Sequence, residues 1–386
     1  MSELFPDYVS PWETEEHQAL RKHAAEFFRK EATPNQERWA EQHHVDREFW
    51  NKTGAVGLLC TDIPEVYGGG GGDFGHEAVV CQEIQHAHDT AFGHSVHSTI
   101  TAHYIHAFSN EEQRKRWLPR ICTGETVLAI AMTEPGTGSD LQSVRTTAIR
   151  DGDHYVINGS KTFISNGTHA DIVIIVAKTD PTLGAKGISL IVAETKDLKG
   201  FERGRVLKKI GQHGQDTVEL FFSDMRVPVT NLLGEREGLG FGQLMKQLPR
   251  ERLILAVAGI GMAEAAVTET LKYAKEREVF GKPILDKQNT KFVLAECKAE
   301  VLAGKTLMDY CIQREIDGTL DPATASIAKL WGTDKQVEIV DRCLQIFGGY
   351  GYMMEYPIAQ MYAAARAQRI YGGTNEIMKE LIGRTL

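Results

Sequence analysis

Apolar residues recur every three or four positions from residue 15 to about residue 122, in runs such as EHQALRKHAAEFFRKEA and GHEAVVCQEIQHAHD set between polar turns. That spacing keeps one stripe of a 3.6-residue helix apolar and predicts an α-helical first third. The glycines at 68–72 interrupt it. No strand pattern precedes them and no lysine follows, so they read as a flexible loop and not as a phosphate cradle. Between about residues 133 and 229 the pattern shortens to β-rich runs, HYVING, KTFISNG, DIVIIVAKT, GISLIVAET and TVELFFSDMRV, divided by Gly, Asp and Asn turns. These predict an antiparallel sheet or barrel. After residue 240 helical periodicity returns in three long segments with short connections, which suggests a helical bundle.

Composition and charge narrow the class. The 386 residues are 42% hydrophobic, and 43 Lys plus Arg against 52 Asp plus Glu leave a net charge of −9. Such a chain has cores for two or three domains, and its charge speaks against a nucleic-acid binder held by phosphate neutralisation. Cys60, Cys81, Cys122, Cys297, Cys311 and Cys343 are scattered without metal-ligand or disulfide spacing, so we expect reduced, mostly buried thiols. The first twenty residues lack a signal-peptide pattern, and no run of roughly 18 consecutive apolar residues follows. The expectation is a cytoplasmic protein with no membrane span.

Several short segments can carry chemistry, and each has a plainer reading. In YGGTNEI, Gly372 and Gly373 suit either a helix exit or backbone lying against a ligand. AMTEPGTGSD, at 131–140, frees its backbone at Gly136 and Gly138 and offers the hydroxyls of Thr133 and Ser139; it is a ligand loop or a Pro-Gly turn. KEREVFGKPI offers the Arg277 guanidinium to a phosphate and an aromatic edge at Phe280, or is a solvated helix end. QIFGGYGY, opening at Gln345, is another glycine turn. Gly259 and Gly261 in GIGMAE lack a third glycine and a preceding strand, which makes them a helix-packing feature.

Taken in order, AMTEPGTGSD, KTFISNG, KEREVFGKPI, QIFGGYGYMMEYP and RIYGGTNEIMKELI resemble the acyl-CoA dehydrogenase family over essentially the whole chain, nearest its long-chain and isovaleryl-like branch. The resemblance implies an α+β, mostly α fold: an N-terminal helical domain (1–127), a middle β-barrel (128–236) and a C-terminal four-helix bundle (237–386). It implies a homotetramer with FAD at a subunit interface. Met132, Thr133, Gly138 and Ser139 would line the flavin, with Phe163 and Ser165 packed near its ring system. Arg277, Phe280 and Gln288 would reach it from a neighbouring subunit, with Gln345, Gly348 and Gly349 near its adenosine or pyrophosphate part, while Thr374 and Glu376 return to the first subunit's flavin. Ser139, Arg252, Tyr371, Gly372 and Gly373 would meet the acyl-CoA.

In many members of that family the base is a glutamate directly after the tyrosine of the last motif, and here that position is Gly372. The long-chain and isovaleryl-like branch carries its glutamate in a segment similar to QLPRERLILA, which makes Glu251 the matching residue. On the residues alone Glu251 is an exposed charge complementing a helix start, with Pro249 suiting a first helical turn or a kink. The resemblance instead implies that Glu251 removes the α-proton of an acyl thioester while the flavin takes the β-hydrogen as hydride, electrons passing on to an electron-transferring flavoprotein. The thioester oxygen would be met by the N–H of residue 372 and a flavin ribityl hydroxyl. An acyl-CoA oxidase on the same fold and a non-catalytic flavoprotein are the alternatives. His94, His97, His103 and His106 would lie in the acyl-pocket wall, buried or hydrogen-bonded, and no metal is expected. Chain length and branching of the acyl group stay open.

Overall fold

A computed structural model of the chain describes residues 4–386, so the first three residues of the expected N-terminal domain lie outside the described residues. Six helices open it: α1 (Glu15–Glu31), α2 (Gln36–Gln42), α3 (Arg47–Ala55), α4 (Phe74–His86), α5 (Ala102–Phe108) and α6 (Glu111–Cys122). Side-chain caps start them. Thr14, Asp73 and Asn110 each accept a backbone N–H at the beginning of α1, α4 and α6, satisfying donors that a helix start leaves open. A π-helical turn, Val96–Thr101, leads directly into α5. The glycines at 68–72 are tied down rather than flexible: the N–H groups of Gly69, Gly70, Gly71 and Gly72 donate to the carbonyls of Pro64, Cys60, Ile63 and Thr61. Donors used in this way hold no phosphate.

Seven strands follow: β1 (Leu128–Ala131), β2 (Thr147–Asp151), β3 (His154–Ser165), β4 (Ile172–Lys178), β5 (Ile188–Glu194), β6 (Phe201–Val206) and β7 (Thr217–Pro228). They form one sheet in the order β1-β4-β2-β3-β7-β6, with β5 also on β4. HYVING and KTFISNG are one strand, β3, whose pairing with β7 shifts register between Lys161 and Ile164. The uniformly apolar β4 and β5 are covered on both faces, as such runs require. Ile172, Ile174, Val176, Ile188, Leu190 and Val192 face a core shared with the helices. Val173, Ile175, Ala177, Ile191 and Ala193 face the core of the sheet itself.

The C-terminal helices are α7 (Gly240–Glu276), α8 (Gln288–Ile316), α9 (Pro322–Phe347), α10 (Pro357–Gln368) and α11 (Asn375–Gly383), with a small hairpin, β8 (Glu278–Val279) and β9 (Lys282–Pro283), after α7. α7 is the spine of this part. Its Leu253–Ile260 portion packs in the core shared with the sheet, and Met262 to Ala274 pack in a second core within the bundle. By length and composition α7 is apolar enough to cross a membrane, but most of that apolar stretch is buried against other helices. Gly259 and Gly261 do serve packing: Cβ atoms there would stand 3.3 Å from the Gly332 carbonyl of α9 and from the Gln85 side chain of α4. All six cysteines are free and buried.

Candidate active site

Glu251 does not sit at a helix start. It lies in the interior of α7, two residues after Pro249, and is only 6% exposed. Pro249 lacks an N–H, so the carbonyl one turn earlier loses its helical donor at this point. Burial raises the Glu251 carboxyl to about 7, while a hydrogen bond from Tyr104 and the nearby Arg252 guanidinium act in the opposite direction. Tyr104 Oη donates to Glu251 Oε1 at 2.6 Å. A carboxyl in such a place exchanges a proton near neutral pH, as a general base must.

The turn at 371–374 lies against the same face of α7. Gly372 and Gly373 have φ of 66° and 92°, the left-handed region that side chains rarely adopt. A Cβ on Gly372 would stand 2.3 Å from Leu255 Cδ1, and one on Gly373 would stand 3.9 Å from Arg252 Nη2. Leu255 is one helical turn beyond Glu251, so the emptied position and the candidate base share one neighbourhood. Arg252 is buried, and its Nε finds no partner among the described residues. Tyr371 is half-buried beside Gln212, from the loop between β6 and β7, and burial pushes its phenol up to about 12.

Lys329 of α9 holds this turn and escaped the sequence reading. Its Nζ is fully buried and donates to Gly373 O and Asn375 Oδ1, both at 2.8 Å. Burial lowers it to about 8, with Arg252 adding to the effect. Thr374 caps α11 by accepting from Ile377 N, and Glu376 is exposed. Both line a polar cleft of about 310 Å³ with Asp334, Arg366, Arg369 and Lys379.

The loop carrying Met132, Thr133, Gly138 and Ser139 is shaped by Glu134, whose carboxylate accepts from Arg145 N, Thr146 N and the buried Lys161 Nζ. Lys161 also donates to Met132 O, and Thr162 N to Thr133 O, so the loop is laced to β3 beside Phe163. Phe163 has φ of 60° and is 65% exposed; Ser165, two residues on, is half-buried. Gly136 and Gly138 have open space where a Cβ would be, and Ser139 is exposed.

Arg277, Phe280, Gln288, Gln345, Gly348 and Gly349 form a separate exposed group. Arg277 lies 5.8 Å from the Tyr350 ring centroid, Phe280 is 96% exposed at the hairpin tip with φ of 51°, and nothing stands near a Cβ on Gly348 or Gly349. At 1.5 Å per residue along α7, Arg277 is roughly 39 Å from Glu251. Within one chain these two groups do not meet.

The predicted ligands fit these two exposed groups in physical terms. A flat ring system needs aromatic and backbone faces clear of the core, which Phe163, Phe280 and the open glycines present. A pyrophosphate needs a cation and backbone that it can approach closely, as at Arg277 and the exposed Gly348–Gly349, where nothing stands within 4 Å of a Cβ position. The histidines belong to the fold. His94 Nε2 meets Leu58 O at 2.9 Å, and His97 takes Leu128 N on Nδ1 and meets Ile121 O with Nε2. His17, Asp73 and His76 converge closely enough to suggest a metal. Yet Nδ1 of each histidine already accepts a capping N–H, from Thr14 and Asp73, so the cluster reads as two interlocked helix caps.

Sequence models of the acyl-CoA dehydrogenase N-terminal, middle and C-terminal domains match residues 14–125, 129–225 and 238–386. The mitochondrial long-chain specific acyl-CoA dehydrogenase of Sus scrofa is 45% identical over 96% of this chain and 86% of its own length. A crystal structure of an acyl-CoA dehydrogenase from Geobacillus kaustophilus superposes with a TM-score of 0.95 at 43% identity, over 98% of this chain and 99% of that one. A glutaryl-CoA dehydrogenase from Mycobacterium smegmatis in complex with FADH2 does so with a TM-score of 0.90 at 27% identity, over 97% and 95%. Agreement in all three domains, in their order and along nearly the full length of these relatives, makes this chain a member of the acyl-CoA dehydrogenase family and an FAD-dependent oxidoreductase.

Proposed function

We propose that the protein converts an acyl-CoA thioester to the trans-2-enoyl-CoA, with Glu251 as the base and an electron-transferring flavoprotein as the electron acceptor. The observation that carries this reading is a buried carboxyl, held near 7, beside the turn in which residue 372 is glycine. FAD, when bound, supplies the hydride acceptor for the β-hydrogen. Met132, Thr133, Gly138, Ser139, Phe163 and Ser165 hold it on the sheet side, and Thr374 and Glu376 from the terminal turn. Glu251 takes the α-proton. The α-carbon is weakly acidic, so the thioester oxygen needs a donor as negative charge develops. The N–H of residue 372 serves, in a turn fixed by Lys329. Arg252, Tyr371, Gly373 and Ser139 orient the acyl-CoA.

The roughly 39 Å between Arg277 and Glu251 supports a site shared between copies, within the homotetramer that the family resemblance implies, in which a second copy brings Arg277, Phe280, Gln288, Gln345, Gly348 and Gly349 to the cofactor. Likeness to the long-chain relative supports a long acyl chain. Anaerobic titration of the FAD-loaded protein with acyl-CoAs of graded length and branching tests the reading. We expect flavin bleaching, fastest with long chains, and rapid reoxidation by electron-transferring flavoprotein but slow reoxidation by oxygen. No bleaching with any thioester contradicts it.

A further inference from the structure

Glu251 is held by one protein hydrogen bond. Tyr104 Oη donates to Oε1, and Oε2 accepts none among the described residues. Both side chains are buried, Tyr104 completely. Burial and the facing carboxylate push the Tyr104 phenol well above its ordinary range, so it stays a donor throughout the working pH range.

The contact is built into the packing of two helices. One residue earlier on each, His103 Nε2 lies 3.1 Å from Arg250 Nη2 and 2.8 Å from Asp62 Oδ1. Arg250 is ion-paired with Asp62 and with Glu315, the latter at 3.2 Å, and its Nε donates to Thr99 O. Thr99 belongs to the π-helical turn ahead of α5. A π turn adds a residue to the winding and so sets the phase of the helix that follows. His103 and Tyr104 are thereby turned together onto Arg250 and Glu251.

We propose that Tyr104 is a positioning residue for the dehydrogenation, occupying Oε1 so that Oε2 is the oxygen presented to the substrate α-carbon. The inference rests on Glu251 being the base. It explains why the base carries one hydrogen bond and not two: with Oε1 occupied, the carboxylate is fixed in orientation while a basic lone pair stays open. The groups facing Glu251 are Tyr104 from α5 and Arg252 from α7, and both favour its ionised form. A hydrogen bond to a charged group is worth about 1.5 to 3 kcal/mol, which converts to about 1 to 2 pH units.

The test uses FAD-loaded wild type, Tyr104→Phe and Glu251→Gln, with two readouts. One is the acid limb of kcat/KM; the other is the infrared titration of the carboxyl band that Glu251→Gln abolishes. For Tyr104→Phe we expect retained FAD, a fall in kcat larger than the change in KM, and both midpoints raised by about 1 to 2 units. Incorporating 3-fluorotyrosine at position 104 keeps the volume and strengthens the donor, so its midpoints should move down; this arm decides if the phenylalanine variant folds poorly. Midpoints unmoved in the variants that fold overturn the assignment, leaving Tyr104 a packing role. Wild-type substrate reduction in Glu251→Gln would instead sink the base reading itself, whatever Tyr104 does.

Discussion

At the scale of single residues, Glu251 couples activity and stability to pH. Its carboxyl is held at about 7 against an ordinary 4.5. The base must be ionised, so kcat/KM should rise with pH through about 7 and level off above it. For stability, the folded chain retains a proton between 4.5 and 7 that the unfolded chain has already released, so stability falls as pH rises through that window and is flat above it. Glu251→Gln removes this linkage and keeps an acceptor for Tyr104. Urea unfolding of the FAD-loaded proteins should find the variant more stable by up to about 3 kcal/mol at pH 8, a difference that fades towards pH 4. A pH-independent difference would contradict the burial account. Gly372 makes a second case. Its φ of 66° and the 2.3 Å approach to Leu255 predict that Gly372→Ala loses about 1 to 3 kcal/mol. Leu255→Ala in the same chain should recover the part due to contact and leave the backbone part, which a double-mutant cycle separates.

At the scale of elements, the terminal turn is held from α9. Lys329→Met takes its donor from the Gly373 carbonyl and leaves Asn375 Oδ1 only the longer contact from Thr333 Oγ1, at 3.3 Å. We expect substrate-driven bleaching to slow by about one to two orders of magnitude with far-ultraviolet dichroism unchanged, because a small displacement of an oriented group is costly to rate. Bleaching at the wild-type rate would show that the turn holds itself. The elements themselves were largely legible in the sequence. The 3.6-residue period marked α1, α4 and the long helices, and the continuous apolar runs marked β4 and β5, because burial on one or both faces writes itself into local order. What escaped depends on distant packing. β1 has four residues, too few to show a period. The glycines at 68–72 are tied down by carbonyls that only the folded loop places beside them. Glu251 looked like an exposed helix start because Pro249 mimics one, and only the surrounding α4, α5 and α9 show it to be interior. Tyr104 meets it across 147 residues, and Lys329 meets Gly373 across 44, distances over which no local pattern carries a signal.

At the scale of the whole molecule, α7 organises the account, with Glu251 in the core it shares with the sheet and Arg277 at its far end. If a second copy brings Arg277 to the cofactor, Arg277→Gln and Glu251→Gln impair different contributions to one shared site. Mixed oligomers refolded from the two inactive variants should then regain part of the wild-type activity, whereas a site built from one chain would recover none. The acyl-CoA dehydrogenase match along all three domains fits an enzyme built on one such spine. Everything proposed for the chemistry depends on Glu251 being the base. Single-turnover bleaching of FAD-loaded Glu251→Gln by a saturating acyl-CoA, under anaerobic conditions, measures that most directly. With Glu251 as the base, the variant shows an intact flavin spectrum before mixing and bleaches at a rate about 10² to 10⁴ lower than wild type. Bleaching at the wild-type rate would place the base elsewhere.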